Sequence, residues 1–133
     1  VPDYLEGNSV TPLLKDPARD WKSAAFSQYP RGWPRAKSEG YSIRTDHYHY
    51  VQWRELDGSF KGHELYDHKT DPIESINVVG NPEYQAVVEG LKAQLNAGWK
   101  AALPEGIENH SNNIPAPDFV PWGKEAMFGP YAK

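Results

Sequence analysis

The chain has no cysteine. Disulfide scaffolds, thiolate zinc sites and thiol catalysis are therefore excluded. It also lacks any run of about 18 apolar residues, the length a membrane-crossing helix needs. It opens Val1-Pro2-Asp3 and not with a charged and then apolar stretch, so no secretory leader is visible. The first residue is not methionine, and a processed or excised product is expected. No basic run and no basic helix is present, and 14 Lys+Arg against 18 Asp+Glu leave a net charge of −4. That balance does not suit a phosphate-backbone binder, so nucleic acid is not an expected partner. There is no Gly-x-Ser-x-Gly elbow to expose a serine nucleophile. No carboxylate spacing singles out a glycosidase pair.

Aromatics are plentiful: 5 Trp, 8 Tyr and 4 Phe in 133 residues. Only 38% of the chain is hydrophobic and the mean hydropathy is −0.76. Such a chain forms one domain at most, with a small aromatic core or an aromatic surface lent to a partner. With 11 Gly and 12 Pro, much of it should be loop.

Residues 1–22 read as an extended, proline-punctuated linker. Thr11 could cap one helical turn at Pro12-Leu13-Leu14, with both leucines buried and Pro17 as the stop. Residues 23–29 read as a strand that Pro30 ends, and 30–40 as a loop holding Arg31, Trp33, Arg35 and Lys37. Tyr41–Thr45 and Tyr48–Arg54 alternate as two strands of a hairpin, with the turn at Thr45-Asp46-His47 and Asp46 bonding the backbone ahead. Asp57-Gly58 is a second turn, and 63–67 a last strand that runs into an Asp71-Pro72 turn. Asn81-Pro82-Glu83 opens a helix. Its apolar stripe runs Tyr84, Val87, Val88, Leu91, Leu95, Trp99 and Ala102, so about 22 residues reach Pro104. The expected class is α+β: a four-stranded antiparallel sheet packed on one long C-terminal helix. Residues 104–133 form an irregular proline-rich tail whose Phe119, Trp122 and Phe128 are too apolar to lie free.

Two clusters invite chemistry. Asp46, His47 and His49 carry ligand types for zinc or iron, but the turn falls among them and such residues are ordinary on an exposed strand. They are read as surface residues, and no metal ligand is assigned. His63, His68 and His110 are given no role. Arg44, Glu64 and Asp67 are read as structural. Gln28, Tyr29, Arg31, Trp33, Arg35 and Lys37 form the better binding cluster: an amide, a phenol, a planar guanidinium suited to carboxylate or sulfate, an indole that can stack on a sugar or pack on protein, and two further cations.

Phe26-Ser27-Gln28-Tyr29-Pro30-Arg31, Gly40-Tyr41-Ser42-Ile43-Arg44-Thr45, and Glu64-Leu65-Tyr66-Asp67 with Asp71-Pro72 resemble the C-terminal subdomain of sulfatases. The iduronate-2-sulfatase group is the nearest in pattern. The resemblance spans roughly residues 4–103. It implies a large N-terminal catalytic domain, or heavy chain, carrying formylglycine and calcium. The Cys/Ser-x-Pro-x-Arg motif is missing here, so no catalytic or metal residue carries over, and the chain alone should be inactive. What carries over is substrate-side: Gln28 toward the sugar, Arg31 holding its loop or reaching an acidic substrate, and Lys37 or Arg35 as a basic loop residue. The expected substrate is a sulfated uronic-acid glycan, and the expected location is secreted, periplasmic or lysosome-like. Two other readings stand beside it. One is a free carbohydrate- or protein-binding module using Trp33, Trp53 and Trp122. The other is part of a phosphodiesterase or phosphonate hydrolase of the same superfamily.

Overall fold

The computed structural model describes residues 8–32 and 37–104. Trp33, Arg35, His110 and the expected tail beyond Pro104 lie outside the described residues. The chain divides into two compact units, Ser23–Ala102 and Val1–Lys22 with Leu103–Lys133.

In the second unit the described element is helix α1, Thr11–Lys15. Thr11 is its first residue and not its cap. Val10 takes the cap position without a side-chain bond, while Ser9 Oγ accepts from the Thr11 N–H at 3.3 Å. Leu14 is 79% exposed and Leu13 half-buried, so the expected pair of buried leucines is not found. A helix of one turn has too little apolar face to cover both. Asp16, just before Pro17, is extended (φ −143°, ψ 90°), as the proline ring requires of its predecessor.

Ser23–Ala102 is the expected α+β unit. Four strands, β1 (Ala25–Arg31), β2 (Ser38–Arg44), β3 (Tyr48–Glu55) and β4 (Phe60–Asp67), form an antiparallel meander in chain order. β1 runs through Pro30, which sequence alone placed as its end. Pro30 pairs with Glu39 on an edge strand, where a missing N–H is tolerated. β2 therefore starts at Ser38, inside the expected loop, and β4 begins at Phe60. The β2–β3 turn is closed by Thr45 and not by Asp46: the Thr45 Oγ1 accepts from Tyr48 N–H at 3.0 Å. At the next turn Gly58 takes φ 85°, and Asp57 accepts from Ser59 N–H at 2.8 Å.

Asn81 caps the next segment, its side chain accepting from Glu83 N–H at 3.0 Å. A 3-10 turn, Pro82–Tyr84, leads into helix α2, Gln85–Ala97. The helix is shorter than the apolar stripe suggested. Gly98 stands at φ 81°, which ends the α-helix, and Trp99–Ala102 continues only as a 3-10 turn. At 13 residues α2 is about 20 Å long, enough to cross four strands.

Cross-strand neighbours share a face. Phe26, Ile43, Tyr50 and Leu65 make one row across all four strands. Ile43, Tyr50 and Leu65 are fully buried beneath Val88 and Leu91 of α2. The opposite face carries the row Tyr29, Gly40, Trp53 and Gly62, and beyond it Ala25, Arg44, His49 and Tyr66. After β4, Asp71 ties its own turn. Its carboxylate accepts from Ile76 N–H at 2.7 Å and from Ser75 Oγ at 2.9 Å. The bond from Ile76 holds Asp71 below its ordinary value; burial opposes it, and the bonds from Ser75 add to the lowering.

Two outcomes follow from this packing. Leu65→Ala should cost about 2–5 kcal/mol in denaturant unfolding, whereas Leu56→Ala, at a site 62% exposed, should stay within about 0.5 kcal/mol. Asp71 has a lowered folded pKa, so its contribution is complete above the ordinary aspartate value and is lost as pH falls through the lowered one. Thermal midpoints followed from neutrality to about pH 3 should therefore fall less steeply in Asp71→Asn than in the parent.

Candidate functional site

The β1–β2 hairpin carries the residues singled out in the sequence, and strand alternation separates them. Gln28 lies on the helix-covered face. Its amide donates to Glu39 Oε2 at 3.1 Å and to the Tyr41 hydroxyl at 3.3 Å, and Tyr41 in turn donates to Glu39 Oε2 at 2.6 Å. Glu39 is buried, and its second oxygen, Oε1, has no partner among the described residues. Burial, and then the bond to Glu39, push the Tyr41 hydroxyl above its ordinary pKa. Arg54 lies over the Tyr41 ring at 5.5 Å.

Tyr29 and Arg31 lie on the open face, Tyr29 being 69% exposed. Arg31 stacks over the Trp53 ring at 5.0 Å from its centroid. Trp53 is fixed from two sides. Its Nε1–H donates to Glu64 Oε1 at 2.8 Å, and its ring covers Gly40, where an added Cβ would meet Cζ3 at 2.8 Å. Gly40 is thus required by close approach and not by backbone conformation. Arg31, Gly32, Lys37, Ser38, Trp53, Lys61 and Gly62 line an open groove of about 330 Å³. Among the described residues no carboxylate pairs with Arg31 or Lys37. Lys61 pairs with Glu55 at 2.8 Å, both half exposed, a contact worth at most about 1 kcal/mol.

Arg31 and Lys37 are thus brought together, Tyr29 is on their face, and Gln28 is not. Trp53 and Lys61 were missed as groove residues. Their signal lay in the register: a glycine, Gly40, facing a tryptophan across one strand pair leaves room for the ring to lie over it.

A second polar group occupies the same face about 13 Å along β3, four residues from Trp53. His49 Nδ1 and His68 Nε2 stand 2.8 and 2.7 Å from the same oxygen, Glu74 Oε1. Arg44 Nη2 reaches His68 Nδ1 at 2.9 Å, and Arg44 also bonds the Thr45 carbonyl. Arg44, expected to bridge a carboxylate or stack on a tyrosine, reaches a carboxylate only through His68. Asp46 and His47, grouped with His49 in the sequence, are exposed at the hairpin tip.

Residues 1–101 match the family model described as N-sulphoglucosamine sulphohydrolase, C-terminal. An ulvan-active sulfatase of Formosa agariphila is 30% identical over 100 residues, covering 72% of this chain and 18% of the relative. A structure solved in complex with its substrate D-glucosamine-2-N,6-O-disulfate superposes with a TM-score of 0.61 at 28% identity, covering 86% of this chain and 22% of that one. The phosphonate monoester hydrolase of Agrobacterium radiobacter superposes at 0.58 with 27% identity, covering 76% and 22%. The fold and these likenesses define a sulfatase C-terminal domain of the alkaline-phosphatase-like superfamily. The chain belongs to the N-sulphoglucosamine sulphohydrolase C-terminal family. It spans about a fifth of the length of these relatives.

Gly40→Ala should push Trp53 off its strand, release the Arg31 stack and break the bond to Glu64. A crystal structure or indole Nε1–H chemical shifts of the variant should show Trp53 displaced. Gly62→Ala, where an added Cβ meets nothing within 4 Å, should leave it in place.

Proposed function

We propose that this chain is the C-terminal portion of a sulfatase that hydrolyses sulfate esters of acidic, uronic-acid-containing glycans. Its role is to form one wall of the substrate pocket, while the nucleophile resides in an N-terminal domain. The observation that carries this reading is the groove of Arg31, Lys37 and Lys61 around Trp53. Planar guanidinium and flexible ammonium groups beside an aromatic suit a sugar that bears sulfate or carboxylate. A relative named as an ulvan-active sulfatase and one solved with a disulfated glucosamine support the coarser class, a sulfated sugar.

The family's formylglycine and calcium do not fit the residues present. There is no cysteine and no Ser-x-Pro-x-Arg sequence. Among the described residues the one group with three converging metal-ligand atoms, His49, His68 and Glu74, offers two nitrogens, whereas calcium takes oxygen. Both belong, in this reading, to the N-terminal domain, which is the partner of this chain. The same reading places the protein outside the cytoplasm. No helix among the described residues is long and apolar enough to cross a membrane.

In the complete protein, Arg31→Ala and Lys37→Ala should each raise KM for a sulfated oligosaccharide about tenfold, with kcat changed less than threefold, since each loses one charge-assisted contact. Unchanged KM in both would remove the groove from the substrate path. The isolated chain should release no sulfate. Faster turnover of a phosphonate monoester than of any sulfate ester would favour the phosphonate hydrolase reading that the shared fold permits.

A further inference from the structure

We propose that His49, His68 and Glu74 form a site for a divalent transition metal of the zinc type, latched by Arg44. The three residues come from separate segments: β3, the residue after β4, and the turn beyond it. Their ligand atoms all lie within 4.8 Å of one another. The side chains are 24%, 17% and 32% exposed, so the site is half-buried with one side toward solvent. Two imidazoles and one carboxylate are a donor set that zinc and its neighbours accept, with solvent completing the shell.

A second observation marks the place. Glu74 is the one non-glycine residue with positive φ among the described residues, at 58°. That left-handed conformation is disfavoured for a glutamate, and it brings the carboxylate back against both histidines.

Hydrogen positions follow from donor logic. Arg44 can only donate, so His68 Nδ1 accepts and Nε2 carries the proton toward Glu74. His49 likewise donates from Nδ1 to Glu74. In this closed arrangement each imidazole spends a ring N–H on the same Glu74 oxygen. To ligate, His68 must free Nε2 and carry its proton on Nδ1, where it would face an Arg44 N–H. Arg44 must therefore withdraw, and its positive charge opposes the cation as well. The two 2.7–2.8 Å nitrogen–oxygen distances must also open by about half an ångström to surround a tetrahedral ion. Metal binding and the Arg44–His68 bond thus exclude each other, and an occupied site would pin the segment after β4 to the sheet.

The test is calorimetric titration of the full chain with zinc chloride, repeated with cobalt(II) and its visible absorption. Parent protein should bind one zinc at this site and gain thermal stability from it. His49→Gln and His68→Gln keep an amide donor toward Glu74, so the fold is retained. Each should weaken that binding by about tenfold or more and abolish the cobalt band. Arg44→Gln should tighten zinc binding by about tenfold. Zinc affinity unaltered in the two glutamine variants would overturn the site, and affinity unchanged or weakened in Arg44→Gln would overturn the latch.

Discussion

Phe26, Ile43, Tyr50 and Leu65 stand side by side on four strands, and α2 lays Val88 and Leu91 over them. This single apolar row depends on register. A slip of one residue on any strand would turn its contribution to the other side of the sheet and break the row. Because the row is fixed, so is everything on the opposite face. Trp53 comes to lie between Gly40 and Gly62, and His49 beside Arg44, only because Tyr50 and its neighbours are held inward. Short turns at Thr45 and Asp57–Gly58 make the same choice locally.

Much of this was legible in the residues themselves. Alternation in Tyr41–Thr45 and Tyr48–Arg54 gave the hairpin, and Asn81-Pro82 gave the start of the helical segment. Where the reading failed, a local rule was outweighed. Pro30 suggested a strand end, but an edge position absorbs the missing donor. The apolar stripe ran through Trp99, but Gly98 turned the backbone out of the helix. Asp46 has strong turn chemistry, yet the hydroxyl of Thr45 was better placed to take the Tyr48 N–H.

The polar site was less legible, because it depends on which strands meet. Gln28 and Arg31 are near neighbours in sequence and were grouped together. Alternation sends Gln28 to Glu39 and Tyr41 and Arg31 to Trp53. Lys61, thirty residues from Arg31, joins the groove through β4. Glu74 reaches His49 and His68 only through an unusual backbone angle that no pattern of residue types announces. Sequence resemblance identified the sulfatase C-terminal fold; pairing geometry decided which of its side chains share a surface.

The stack of Arg31 on Trp53 has an electrostatic consequence. A guanidinium oriented by a carboxylate is neutralised by the group that holds it. An aromatic ring holds it through the quadrupole of its face and leaves the full positive charge in place. The ring engages only the flat side of the guanidinium, and no partner among the described residues takes the N–H donors around its rim. Position and charge are thereby supplied by different partners: β3 sets where the cation sits, and nothing among the described residues cancels what it can attract.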